Sequence, residues 1–169
     1  MHMTERASRV IDFHEVGSDF RWIDVKTFEP KKSRGNLDTL AALIENPWYD
    51  DDYASPSGAL PTPSPGVHGP YRLDAITPHS FEEVSTRACS AAVTAWADQL
   101  GPLPTAFAAR YSHILQSLLL DSRLVYRLRD LGPAALHGRN DHLGALGFLE
   151  FVIASKSSNK VTLLVASDD

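Results

Sequence analysis

Leu146-Gly147-Phe148-Leu149-Glu150-Phe151-Val152-Ile153 and Val161-Thr162-Leu163-Leu164-Val165-Ala166, joined by Ser155-Lys156-Ser157-Ser158-Asn159-Lys160, are the segments whose reading decides the fold. Two short apolar runs rich in β-branched and aromatic residues, flanking a cluster of turn formers, predict an antiparallel hairpin. A turn at residues 156–159 sets Ile153 opposite Thr162, which returns Asp168 and Asp169 to positions opposite Gly147 and Leu146. Strict alternation puts Glu150 on one face with His142, Leu146, Phe148 and Val152, and Leu149, Phe151 and Ile153 on the other. A carboxylate in such a strand is costly unless it is exposed or paired. Glu150 therefore belongs either to a wet face or to a site near the mouth of the hairpin.

The mouth is the richest chemical stretch in the chain: His137-Gly138-Arg139-Asn140-Asp141-His142. An imidazole exchanges a proton near neutral pH, a carboxylate orients it, and a guanidinium with an amide holds an anionic or carbonyl oxygen. His137, Arg139, Asn140, Asp141, His142 and Glu150 are thus the expected site residues. The competing reading is a solvated turn whose polar groups cap strand or helix ends. His137, Asp141 and His142 are also competent metal ligands, but their spacing matches no zinc template, and no metal is expected.

Further outward, residues 10–16 and 20–28 predict a first hairpin about Gly17-Ser18-Asp19, with Ile23, Val25 and Thr27 on a buried face and Trp22, Asp24 and Lys26 on a half-wet one. After the basic turn Lys31-Lys32-Ser33-Arg34-Gly35, Asn36 is positioned to cap a short helix with Leu37, Leu40, Ala41 and Ile44 as its core stripe, and Pro47 ends it. Most of the 11 prolines then fall between residues 47 and 78. Residues 47–79 read as a long Pro-rich loop, a lid or a disordered linker, packed down at its ends by Trp48, Tyr49, Tyr53 and Tyr71.

Ser80-Phe81-Glu82-Glu83 is a capping-box pattern and predicts a helix from Ser80 to about Leu100, with Cys89 as a small packing residue in an Ala-rich stripe. Residues 105–131 carry a second helical stripe, with a break near Asp121-Ser122, so the two form an αα-hairpin. Arg123, Arg127 and Arg129 would then lie near a helix C-terminus, where the macrodipole favours cations. The resulting fold class is α+β: a four-stranded antiparallel sheet built from N- and C-terminal hairpins, with about three helices, including the central αα-hairpin, packed on one of its faces.

With 169 residues, 43% apolar and 22% charged, the chain predicts one globular domain over residues 1–169. Acids outnumber bases in residues 1–85 and nearly balance them afterwards, giving a net charge of −5. No basic stripe interleaved with aromatics is present, so nucleic acid is not an expected partner. No apolar run spans a bilayer and residues 1–6 do not resemble a signal peptide, which predicts a soluble cytoplasmic protein without membrane association. There is no Gly-rich phosphate loop and no G-x-S-x-G elbow, so neither a nucleotide cofactor nor serine catalysis is expected.

The function expected from these residues is a small enzyme or ligand-processing domain that acts on a small polar molecule by acid–base chemistry. The alternative is a non-catalytic accessory, immunity-like or regulatory, that docks a basic protein partner through Asp50-Asp51-Asp52 with Trp48, Tyr49 and Tyr53, and through the Pro-rich loop.

Overall fold

The strands β7 (Leu149–Ser155) and β8 (Val161–Asp168) pair with Ile153 opposite Thr162, the register that the turn length requires. Both strands are buried along nearly their whole length. A near-continuous apolar run such as Val161–Val165 has no wet face, and the sheet is accordingly covered on both sides. In the computed structural model, which describes residues 3–17, 20–31, 35–53, 66–138 and 144–168, this hairpin is central.

Around it lie β1 (Met3–Asp12), β2 (Arg21–Pro30), β5 (Phe81–Val84) and β6 (Ser122–Leu128), giving an antiparallel sheet of order β1-β2-β8-β7-β6-β5. A separate ribbon consists of β3 (Val67–His68) and β4 (Tyr71–Arg72). The α+β class holds, but the sheet has six strands rather than four.

The two additional strands come from segments with helical signals. Phe81–Val84 pairs with β6, Phe81 opposite Leu128 and Val84 opposite Val125, so the helix does not start at Ser80. Ser80 instead closes a short turn with Thr77, and the helix α2 (Thr86–Ala97) is capped by Ser85, whose hydroxyl accepts the Ala88 N–H at 3.1 Å. Likewise α3 (Thr105–Leu120) ends at the expected break, and the chain continues as the strand β6. Arg123, Arg127 and Arg129 are therefore not at a helix terminus. Pairing with β7 overrides the helical propensity of Leu and Arg there.

On one face Ile23, Val25, Phe151, Ile153 and Leu164 pack against Val93, Trp96, Phe107 and Tyr111 of α2 and α3. On the other, Trp22, Phe28, Val152, Leu163 and Val165 meet Leu40 and Leu43 of α1 (Asn36–Ile44), together with Tyr49, Tyr53 and Tyr71. Gly35 holds the cap position of α1 and Asn36 is its first helical residue, while Leu37 of the expected core stripe is exposed. The helices thus divide between the two faces instead of sharing one. The ends of the Pro-rich loop, 46–53 and 66–72, cover the face that carries Trp22, Asp24 and Lys26, which is consequently buried rather than half-wet.

Candidate functional site

Covering that face traps a row of charged side chains. Val165 of β8 lies opposite Asp24 of β2 on one side and Glu150 of β7 on the other, so both carboxylates point under the loop segments. Lys26, two residues along β2, is also buried. Buried charge persists only when paired and hydrogen-bonded, and the covering segments supply the partners.

Lys26 Nζ donates to Asp51 Oδ2 at 2.6 Å, lies 3.3 Å from Asp24 Oδ2, and reaches the Trp48 carbonyl at 3.3 Å and the Tyr53 hydroxyl at 3.4 Å. Asp51 also accepts the Tyr53 N–H at 2.8 Å, a local turn that holds Tyr53 at φ 55. A bulky buried residue in the left-handed region stores strain of order 1–3 kcal/mol. Burial, then the Asp24 and Asp51 carboxylates, push the Tyr53 phenol well above its ordinary pKa.

Glu150 is met by two groups. Tyr49 donates its hydroxyl to Oε1 at 2.8 Å, and His68 Nε2 lies 2.7 Å from Oε2. The His68 and Tyr49 rings stack with centroids 3.6 Å apart and planes within 2° of parallel. His68 Nδ1 faces the Tyr49 carbonyl, an acceptor only, so Nδ1 carries a proton and donates. A proton must then also lie between Nε2 and Oε2, held by the imidazole or by the carboxyl. That shared proton is the chemical capability of the site. Burial, reinforced by Glu150, keeps the Tyr49 phenol neutral far above its usual pKa.

The backbone around His68 is fixed by its turn. Gly69 has φ +51, and a Cβ there would meet the Phe148 ring at 2.4 Å, so only glycine fits. Its N–H donates to the Asp51 carbonyl at 2.8 Å, which ties the ribbon to the 46–53 segment. Phe148 stands edge-on to His68, Tyr53 and Tyr71, with centroids 6.0, 6.2 and 6.2 Å away.

On the outer side of Phe148 the sheet opens. The β6–β7 ladder stops at Arg127–Phe151, and the two chains diverge around a cleft of 490 Å³ lined by Tyr71, Arg129, Asp130, Leu136, Gly144 and Phe148 among others. Arg129 is held by the His79 carbonyl at 3.0 Å and by Glu82, and Asp130 faces the Tyr71 hydroxyl at 3.5 Å. Burial raises the Tyr71 pKa.

Among the described residues, three buried polar side-chain atoms have no hydrogen-bond partner: Trp22 Nε1, Trp96 Nε1 and Ser167 Oγ. Each such group costs about 1–3 kcal/mol.

Of the residues expected to form the site, Glu150 is buried in it, not on a wet face. His137 is nearby but faces Gly69, its Nε2 lying 2.8 Å from that carbonyl and its N–H donating to Pro70 at 3.1 Å. The imidazole beside Glu150 is His68 instead. Arg139, Asn140, Asp141 and His142 lie outside the described residues, as do residues 54–65 of the Pro-rich loop. Asp168, expected opposite Gly147, lies beyond the Leu149–Ala166 end of the ladder, and its carboxylate accepts the Leu146 N–H at 2.8 Å; Asp169 is not among the described residues.

Within residues 48–53, Tyr49, Asp51 and Tyr53 are buried, while Trp48, Asp50 and Asp52 are half-buried. Cys89 is buried and its thiol is pushed up to about 12 by that burial, so it is no nucleophile. Lys26, Asp24, Tyr49 and His68 escaped sequence reading as site residues. The usable signal was Glu150 itself, because a carboxylate in an apolar strand demands partners.

Among the described residues no three His, Cys, Asp or Glu side chains are grouped to hold a metal ion, and no helix is long and apolar enough to cross a membrane. No protein-family model matches the chain, and no curated protein matches it.

Proposed function

We propose that the chain is a small ligand-processing domain that takes a small polar molecule into the cleft at the β6–β7 divergence and acts on it by acid–base chemistry, without a nucleotide cofactor. His68 and Glu150 hold the working proton, Tyr49 fixes the carboxylate, and Tyr71 with Asp130 and Arg129 meets the molecule at the entrance. The observation that carries this reading is Phe148, which lines the 490 Å³ cleft and stands edge-on, with centroids 6.0 Å apart, to the His68 ring that is hydrogen-bonded to Glu150. Concave sites with a few convergent polar groups are where small molecules bind, and a histidine or carboxylic acid that gives a proton to, or takes one from, a reacting group is the means of general acid–base catalysis.

The test is a thermal-shift screen with millimolar small amides, carboxylates, polyols and amines, followed by product analysis of every compound that stabilises the protein. Binding to the folded state alone raises Tm. The expected result is a compound class that stabilises the wild type and is converted by it, with conversion lost in Glu150→Gln. Stabilisation without conversion, or conversion equal in Glu150→Gln, contradicts the catalytic reading.

A second reading is favoured by the complete burial of His68 and Glu150. In it the pair only fastens the loop to the sheet, and the domain is a non-catalytic accessory to a protein partner. Screening then finds no converted compound, and Glu150→Gln affects stability alone.

A further inference from the structure

Trp22 and Ser167 lie opposite each other on β2 and β8, on the covered face, and both are buried. Both carry an orphaned polar atom, the indole Nε1–H and the hydroxyl Oγ. Directly opposed cross-strand residues hold their Cβ atoms about 4.5–5.5 Å apart, so the two groups share one neighbourhood.

That neighbourhood adjoins the cleft. A Cβ placed on Gly144, a cleft-lining residue, would sit 3.6 Å from Ser167 Oγ and 3.5 Å from Phe148 Cβ. Trp22 stacks on Tyr53 with centroids 5.2 Å apart, and Tyr53 stands against Phe148.

Resting on the small-ligand reading above, we propose that Trp22 and Ser167 form a subsite behind Phe148 that receives the neutral carbonyl oxygen of a planar carboxamide. An indole N–H can only donate and a serine hydroxyl can donate, so together they offer two donors to one acceptor. The acceptor is neutral because the basic groups of this face are already engaged, Lys26 by Asp24 and Asp51 and His68 by Glu150, so that neither is left to pair with a buried anion. The body is planar because the neighbouring side chains are rings, Trp22 stacked on Tyr53 and Tyr53 against Phe148, beside which a flat group packs best. Entry requires the Phe148 ring to turn aside, and of the three rings around the subsite it is the one that is only partly buried.

Benzamide is the probe and benzoate the charged comparator, read in 1H–15N spectra of the full chain. The 3 tryptophans give three indole signals, and Trp22→Phe identifies the relevant one. Benzamide should shift the Trp22 Nε1–H signal downfield. Ser167→Ala, which removes an orphaned hydroxyl and keeps the fold, should weaken benzamide about tenfold, as loss of one hydrogen bond does. Benzoate should bind more weakly than benzamide.

An unmoved Trp22 signal in both the wild type and a folded Phe148→Ala variant, in which the ring no longer bars entry, overturns the subsite. So does equal binding of benzoate. Movement of the Gly144 and Gly147 amides without the indole overturns the subsite while leaving the cleft reading intact. Movement of the indole with no converted compound in the screen supports the subsite and counts against the catalytic reading alone.

Discussion

Glu150 and Tyr49 show how much one residue can carry. The carboxylate accepts from Tyr49 and faces His68 with neither side chain exposed, so removing it leaves buried partners unsatisfied. Glu150→Ala should lower stability by about 3–5 kcal/mol. Glu150→Gln, which can still accept from Tyr49 and donate to Nε2 of His68, should cost much less. Urea denaturation measures both, and equal losses would show that the hydrogen bonds are not what matters.

The tyrosines make a pH prediction. Burial first, and carboxylates second, raise the folded pKa of Tyr49 and Tyr53 well above the ordinary value of 10.0. Above pH 10 the unfolded chain therefore loses phenolic protons that the folded chain keeps, so stability is intact below pH 10 and falls as pH rises beyond it. Absorbance at the tyrosinate band should show Tyr49 and Tyr53 ionising together with unfolding, and their early, non-cooperative ionisation would contradict the burial. Glu150 was legible as an anomaly within an apolar strand. His68 was not, because a histidine before Gly-Pro in a Pro-rich loop carries no local sign of what it packs against.

The ribbon β3–β4, in a stretch read as loop, and the strand β5, in one read as helix, show what element-level reading misses. Gly69 holds the ribbon turn in the left-handed region, under the Phe148 ring. Gly69→Ala should destabilise the protein by roughly 1–3 kcal/mol, combining backbone strain with overpacking, and amide exchange should accelerate first in residues 66–72. A neutral substitution would mean that Phe148 is already free to leave. The capping-box pattern at Ser80 was misleading because Ser85, five residues on, offers an equally good cap, and pairing Phe81–Val84 with β6 buries Phe81. Periodicity cannot choose between two caps when a strand partner more than forty residues away decides. The C-terminal hairpin was legible to its register, because turn length and alternation are local and a one-residue slip would move every side chain to the opposite face, putting Glu150 into the helix-covered core.

For the molecule as a whole, the last strand of the chain lies at the middle of the sheet, β8 between β2 and β7. Truncation after Ile153 removes Val161, Leu163, Leu164 and Val165 from both cores at once. Each buried large side chain contributes about 1.5–3 kcal/mol against a total margin of about 5–15 kcal/mol, so the truncated chain should not fold; a cooperative thermal transition in it would contradict the topology. The wet-faced reading of Asp24 and Lys26 failed at this scale, since alternation cannot reveal that a loop will cover a face. The near-continuous apolar run of β8 is the pattern of a strand covered on both faces, although the helices were expected on one face only. The claim that the β6–β7 cleft, with His68 and Glu150 behind it, is the working site is tested most directly by mapping, in 1H–15N spectra, the amides perturbed by compounds that stabilise the protein. Perturbation should centre on Gly69, Tyr71, Asp130, Gly147 and Phe148. Perturbation confined to the α2–α3 groove at Ser90, Gln116 and Leu120, or to the groove of Arg9, Arg110 and His113, would contradict it.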